Sequence, residues 1–268
     1  MQDQYTGDVG DFGKFGLLRH LQRALKLPTG VVWYKHPDEH HLGDGKFVRY
    51  LEDQNSYRSC DPKLWEKLKL LVDNDQRSIE HLERSKLLSG SVTYFRDNTY
   101  CYDASPGNTK AAKAFRLEYR ESWLKNAVSG MADARMVFLD PDNGLEVKSC
   151  SKLNQKKSGK FTYYSEARAF YDCSDVLVVY HHLNRHKNHG SHAKQMKDRV
   201  AELKDKLNCD GAVYALRYPP FSGRAFLIAC RSAFVNKLDS AVTDFLASKW
   251  GDHWDSDYVR NAATVEKA

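Results

Sequence analysis

Several features that would assign the sequence to a simple class are missing. No apolar run approaches the roughly 18 residues of a membrane-spanning helix, and the chain is polar from its first residues. Six cysteines are spread singly, without a C-x-x-C pair, which argues against a zinc ribbon or a disulfide framework. This use of cysteine is typical of a reducing compartment. We therefore expect a soluble protein of the cytoplasm.

Domain linkers and internal repeats are also missing from the 268 residues. We therefore predict a single domain over residues 1–268, with an N-terminal helical segment at 1–30 and a helical insertion at about 47–90. The chain has 41 Lys and Arg against 35 Asp and Glu, a net charge of +6. This mild excess is compatible with a polyanionic partner such as nucleic acid, but it is too small to decide the matter.

Apolar runs and helical patterns alternate along most of the chain. This alternation predicts an α/β fold with a Rossmann-like, mostly parallel sheet and helices on both faces. The last two predicted strands, 212–218 and 225–230, are joined by only a few residues. A parallel crossover needs a dozen residues or more, so these two strands must be antiparallel. We expect a C-terminal antiparallel strand at the end of an otherwise parallel sheet.

The most informative stretch is the buried strand predicted at 136–139 and the turn that follows it. The strand is continuously apolar, and it ends in Asp140-Pro141-Asp142-Asn143-Gly144. Ligands of open α/β sheets bind just beyond the carboxyl ends of the strands. The acidic residues therefore stand where chemistry is expected, although a plain turn capped by Asp140 is the simpler alternative.

Two glycine-containing stretches have the positions of binding loops. The first runs from Gly7 to Gly16 into a helix that we expect to begin near Asp11. The second, at 35–46, follows a strand predicted at 31–34 and contains Gly43, Asp44 and Gly45. This loop matches neither G-x-x-x-x-G-K-[ST] nor G-x-G-x-x-G. Close packing of the first stretch against a neighbour is an equally good interpretation.

Two motifs together carry a family resemblance. Gly7-Asp8-Val9-Gly10-Asp11-Phe12-Gly13-Lys14 and Asp140-Pro141-Asp142-Asn143 resemble the motifs of class I S-adenosylmethionine-dependent methyltransferases. The nearest members are the bacterial ribosomal RNA adenine-N6 methyltransferases of the J type. The chain is also similar to a bacterial family of unassigned activity that shares G-D-x-G-D-F-x-K and F-L-D-P-D-N-G-L-E. Two departures stand out: the loop after the first strand lacks the usual acidic Asp/Glu-x-x-x-Gly-x-Gly, and Asp142-Asn143 replaces proline and an aromatic residue.

The resemblance implies an S-adenosylmethionine cofactor and transfer of its methyl group to a nucleic-acid base, with the adenine amino group as first choice. Asp140 and the carbonyl of Pro141 would hold that amino group, and Asp142 and Asn143 complete the expected catalytic set. A flipped base would stack on Tyr5 or Tyr180. The residues expected at the cofactor are Lys14, Asp11, Gly43, Asp44 and Gly45.

Basic residues supply a candidate nucleic-acid surface. A helix predicted at 110–129 carries Lys113, Arg116 and Arg120 on one face, and His182 and Arg185 follow the strand predicted at 175–180. Such a face can track a phosphate backbone, although a merely solvated face is the commoner outcome.

Two alternatives remain open at this point. Asp140, Asp142 and Glu146 could bind Mg²⁺ or Mn²⁺ together with His181 or His182, which would make the protein a metal-dependent nuclease or phosphoesterase. The altered motifs instead suit a catalytically inactive, methyltransferase-like subunit that binds nucleic acid. The histidines between His181 and His192 suggest zinc, but their loop context favours solvent or phosphate contacts, and we predict no metal ligand among them.

Overall fold

A computed structural model of the chain describes residues 1–39, 45–185 and 187–262. It contains the strands β1 (Thr29–Trp33), β2 (Val92–Phe95), β3 (Met136–Asp140), β4 (Gly144–Leu145), β5 (Phe161–Thr162), β6 (Val176–His182), β7 (Ala212–Tyr218), β8 (Arg224–Cys230) and β9 (Val259–Ala262). Seven of them form one sheet in the order β2-β1-β3-β6-β8-β7-β9, while β4 and β5 form a separate parallel pair.

The large sheet confirms the predicted α/β, Rossmann-like fold. Strands β2, β1, β3 and β6 run parallel to one another. Strand β8 lies between β6 and β7 and is antiparallel to both, as the short β7–β8 link requires. Strand β9 adds a further antiparallel edge next to β7, which the sequence did not predict.

Helices cover both faces of the sheet, and the strands alternate between two hydrophobic cores. On β3, for example, Met136 and Phe138 belong to one core and Val137 and Leu139 to the other. The helices are α1 (Val9–Leu25), α2 (Pro62–Asp73), α3 (Ile79–Arg84), α4 (Lys110–Gly130), α5 (Tyr164–Asp172), α6 (His192–Lys206) and α7 (Val235–Ala247). Helices α1, α2, α3 and α7 contribute to the first core, and α4, α5 and α6 to the second.

Helix α1 starts three residues earlier than predicted. Asp8, not Asp11, is the N-cap, because its carboxylate accepts a hydrogen bond from the Asp11 backbone N–H at 3.1 Å. The region of the predicted helical insertion, about 47–90, contains the two short helices α2 and α3, and near its start there is only a single 3-10 turn, Arg49–Leu51. None of the helices in the described ranges is both long and apolar enough to cross a membrane.

Two glycines fix the position of α1 against the rest of the fold. A Cβ atom on Gly13 would lie 2.5 Å from Cε1 of Tyr218, and one on Gly16 would lie 2.2 Å from Cη2 of Trp250. No side chain larger than hydrogen fits there without movement of these rings. For these two positions, the close-packing interpretation of the glycine-rich stretch is therefore correct.

The sheet has a topological switch point between β1 and β3. From β1 the chain passes to β2 on one side, and β3 then pairs with β1 on the other side. In the register of these strands, Trp33 stands opposite Asp140, so both strands end at the same edge. A crevice outside the carboxyl ends of the strands at such a point is the usual ligand site of an open α/β sheet.

Candidate functional site

A cavity of about 430 Å³ opens at this edge, a volume typical of small-molecule sites. Its walls come from the amino-terminal segment, the start of α1, the ends of β3 and β6, and the β7–β8 turn. The lining residues are Met1, Tyr5, Asp8, Gly10, Asp11, Lys14, Gly45, Phe47, Asp140, Pro141, Asp142, Tyr180, His182, Arg185, Ser222 and Arg224.

A buried lysine joins the two sequence motifs at the centre of this cavity. The Lys14 ammonium donates to Oδ1 of Asp11 and to Oδ2 of Asp140, both at 2.8 Å, although Lys14 and Asp140 are 126 residues apart. The same ammonium lies 5.5 Å from the ring centroid of Trp33 and 5.8 Å from that of Tyr180. Burial opposes its charge, but Asp11 and Asp140 raise the pKa of Lys14 above its ordinary value. Lys14 therefore remains a cation.

Asp140 is the carboxylate most strongly shaped by this environment. Burial raises the pKa of Asp140, and the attraction of Lys14 and of the amino-terminal ammonium only partly opposes that shift. The backbone carbonyl of Asp140 accepts from the Met1 ammonium at 3.2 Å and from the Tyr34 N–H at 3.4 Å. The end of β3 is thus held rigidly, and Asp140 and Pro141 both face the cavity.

Asp142 lies among cations and donors that hold it ionised. Its carboxylate accepts from Nε2 of Gln2 at 2.7 Å and forms an ion pair with Lys160 at 3.1 Å. Burial opposes the charge, but the amino-terminal ammonium and Lys160 lower the pKa of Asp142. Asn143, in contrast, lines a second cavity, and its backbone pairs with Lys160 and His182. Of the predicted catalytic set, Asp140, Pro141 and Asp142 therefore come together and Asn143 does not.

Of the residues predicted to contact the cofactor, Asp11, Lys14 and Gly45 line the cavity. Asp11 and Lys14 form the centre of the cavity, as described. Gly45 also lines the cavity, but a glycine is needed there for a structural reason. Its φ is +68°, and a Cβ atom would lie only 2.0 Å from the carbonyl oxygen of Gln4 in the amino-terminal segment. Gly43 and Asp44 lie outside the described residues.

Sequence reasoning missed Asp8 and Arg224. Arg224 begins β8, lies 4.0 Å from the Asp8 carboxylate and donates to the Pro220 carbonyl at 2.6 Å. Burial, which Arg224 partly offsets, raises the pKa of Asp8 to about 6. The only signal for this pair was an acidic residue ahead of α1 and an arginine after the turn 219–223, two features that nothing in the sequence connects.

His182 and Tyr180 form a polar pair on the cavity wall. The Tyr180 hydroxyl and Nε2 of His182 lie 2.9 Å apart. His182 is open to the cavity, yet dehydration by the surrounding walls and the charge of Arg224 lower its pKa to about 4. The imidazole is neutral at pH 7, so it contributes hydrogen bonding and no charge.

The predicted nucleic-acid surface on α4 is wrong for two of its three residues. Arg116 is buried and donates to the carbonyls of Ser105, Gly107 and Asn154. Arg120 is buried in an ion pair with Glu166 at 2.6 Å. The guanidinium groups of both arginines are therefore used inside the protein. That of Arg116 holds backbone carbonyls of neighbouring loops, and that of Arg120 holds the Glu166 carboxylate. Lys113 is exposed on α4, whereas His182 and Arg185 line the cavity.

The residues of the metal hypothesis are not gathered around one point. Glu146 lines the second cavity, where its Oε1 accepts from the Tyr164 N–H at 3.0 Å. His181 is buried and accepts from the Leu145 N–H at 3.1 Å, and burial keeps its pKa well below the ordinary value. Within residues 1–39, 45–185 and 187–262, no group of three His, Cys, Asp or Glu side chains is arranged to hold a metal ion.

No protein-family model matches the chain, and no curated protein matches it. The function is therefore inferred from the geometry of the cavity.

The raised pKa of Asp8 predicts a pH-dependent contribution to stability. The folded protein binds this proton more tightly than the unfolded chain, whose pKa is near 3.8. The contribution is therefore complete below about pH 4 and is lost as the pH rises to about 6. Asp8→Asn keeps an N-cap acceptor but removes the titration, so the stability of the wild type relative to this variant should fall across that window.

Urea unfolding at several pH values measures this difference. Arg224, Asp11 and Lys14 face Asp8 and are unchanged in Asp8→Asn, so the difference between the two proteins isolates the one carboxyl group. Two pH profiles that run parallel between about pH 4 and 6 would contradict the assignment.

Proposed function

We propose that the protein is an S-adenosylmethionine-dependent methyltransferase that acts on an amino group of a nucleic-acid base. The observation that carries the proposal is the contact between Lys14 and Asp140. It brings the two motif stretches together in the wall of a cavity at the topological switch point, where a Rossmann-like sheet binds its ligand.

The donor and acceptor groups of the cavity fit such a cofactor. Asp8 offers a carboxylate for an ammonium group, and Arg224 offers a guanidinium group for a carboxylate. The rings of Tyr5 and Tyr180 supply aromatic surface for a purine and an electron-rich environment for a sulfonium. The volume of about 430 Å³ lies within the range of sites for ligands of this size.

The chain itself has to position the amine and accept its proton. When bound, S-adenosylmethionine supplies a methyl carbon that takes the nitrogen lone pair while the carbon–sulfur bond breaks and its electrons stay on sulfur. The Asp140 carboxylate and the Pro141 carbonyl can accept the two N–H groups and so aim the lone pair. Because burial raises the pKa of Asp140, this carboxylate can also take the proton that the nitrogen loses after transfer.

The geometry gives less support to metal-dependent hydrolysis. Asp140 already pairs with Lys14, and Asp142 with Lys160 and the amino-terminal ammonium. A divalent cation would have to displace these positive charges or be repelled by them. The two carboxylates are therefore better suited to an amine than to Mg²⁺.

Isothermal titration with S-adenosylmethionine is the first test. We expect saturable binding, and we expect transfer of a labelled methyl group to unmodified single-stranded RNA or DNA. A parallel titration with Mg²⁺ or Mn²⁺ after chelation tests the hydrolase. No heat with the cofactor, together with a metal heat that disappears in Asp142→Asn, would favour the hydrolase. No heat in either titration, with nucleic acid still bound, would favour an inactive binding subunit.

A further inference from the structure

Two exposed phenylalanines form a stacked pair on the rim of the cavity. Phe221 is 52% exposed and Phe47 is 37% exposed, and their ring centroids are 4.8 Å apart with an interplanar angle of 24°. Phe47 lines the cavity, as does Ser222, the residue after Phe221. The pair leaves an apolar surface open to solvent beside the cavity that Lys14 and Asp140 line, which is unusual for side chains that gain stability by burial.

The exposed Phe221 also has a strained backbone conformation. Its φ is +62°, a left-handed conformation that a bulky side chain adopts only under strain. The ring receives little burial in return. Strain of this kind persists only where the surroundings impose it, and it is concentrated at ligand sites.

Side chains of the cavity impose the strained conformation. Arg185 donates to the Phe221 carbonyl at 2.6 Å, and Arg224 donates to the Pro220 carbonyl at 2.6 Å. The Leu183 N–H also donates to the Gly223 carbonyl at 2.9 Å, which ties the turn to the end of β6. The turn that presents Phe221 is thus held by the same arginines that line the site.

The chemistry of this rim suits one kind of ligand. A flat aromatic surface beside an exposed guanidinium matches a nucleobase attached to a phosphate, because any base can stack on a ring and Arg185 can pair with the phosphate. A base stacked there would direct its polar edge into the cavity, toward the acceptors Asp140 and Pro141. An uncharged aliphatic ligand would use neither feature.

We infer that Phe221 and Phe47, with Arg185, form a stacking platform for a base of single-stranded nucleic acid. The platform supplies the aromatic ring that Asp142-Asn143 does not supply next to Asp140. Its assignment to the substrate base depends on the proposed methyl transfer, but its role in binding nucleic acid can be tested separately.

The test measures binding of a labelled single-stranded oligonucleotide of about ten nucleotides by fluorescence anisotropy. Phe221→Ala should weaken binding by about 5–150-fold, the loss expected for one base–aromatic stack, while Phe221→Trp should retain it. Phe115→Ala is the matched control, because Phe115 is 43% exposed on α4 but does not line the cavity. Equal affinity of Phe221→Ala and Phe115→Ala, or no binding by the wild type, would overturn the inference.

Phe221→Gly separates a binding role from a structural one. Glycine adopts a φ of +62° without strain, so this variant should bind the oligonucleotide as weakly as Phe221→Ala while its melting temperature stays the same or rises. A clear fall in melting temperature would show that the ring serves folding and would overturn the inference. If the wild type transfers no methyl group but Phe221→Ala still binds the oligonucleotide more weakly, the proposed function would be contradicted. The assignment of the stacking platform would remain supported.

Discussion

Asp140→Asn is expected to lower the rate of methyl transfer by about 10²–10³-fold, the usual effect of removing one positioned charged partner in an active site. The amide keeps the shape of the side chain and one acceptor oxygen, but it cannot take up the proton from nitrogen, and its NH₂ group replaces the second acceptor with a donor. S-adenosylmethionine affinity should change little, because the proposed partner of Asp140 is the amine. Steady-state transfer of labelled methyl, measured beside cofactor titration, separates the two effects.

The control for Asp140→Asn is Asp133→Asn, the same chemical change at an exposed turn between α4 and β3. This variant should have wild-type activity and stability. If Asp140→Asn retained the full rate in a protein that binds the cofactor, Asp140 would have no part in the reaction. A variant with unchanged turnover but weak cofactor binding would instead place the cofactor against this carboxylate.

Lys14→Met should destabilise the fold by about 3–5 kcal/mol, the cost of removing one partner from a buried ion pair. The change leaves Asp11 and Asp140 buried without their cation, and methionine replaces the stem of lysine with little loss of packing. Urea unfolding at neutral pH measures the difference in free energy. Protonation of the stranded carboxyl groups should recover part of it as the pH falls.

Lys35→Met is the matched control for Lys14→Met. Lys35 also pairs with an aspartate, Asp3 at 3.3 Å, but both side chains are about one-third exposed. Such a pair contributes about 0–1 kcal/mol. Equal effects of the two substitutions would mean that water reaches Lys14 freely, and the description of a dry ion-pair centre would then be wrong.

The fold was predictable because its signals are local. A continuous apolar run such as 136–139 identifies a buried strand, and the few residues between β7 and β8 leave only an antiparallel pairing. The position of Asp140 at the carboxyl end of β3 follows from the first of these signals, because the apolar run ends at Leu139. Strand β9 was missed because Val259–Ala262 is short, lies at an edge and includes the polar residues Arg260 and Asn261.

The partners of buried polar side chains were not predictable in the same way. Arg120 reads as a surface residue of a basic helix, and only the folded chain brings Glu166 within 2.6 Å of it. The choice between Asp8 and Asp11 as the cap of α1 likewise depends on where the preceding chain turns. Motif resemblance placed Lys14 at the cofactor and Asp140 at the substrate amine, but their 2.8 Å contact emerges from tertiary packing alone.

The glycine contacts of α1 imply a particular limit on how this protein can change during evolution. The rings of Tyr218 and Trp250 pack directly on Gly13 and Gly16, so α1 cannot shift along its axis or rotate without moving these rings. With Gly13 and Gly16 fixed, inserting or deleting one residue between Asp8 and Gly13 would leave Lys14 in place but turn Asp8 by about 100° around the helix axis, away from Arg224. A change in the length of this segment would therefore separate the Asp8–Arg224 pair from the Lys14–Asp140 pair in a single step.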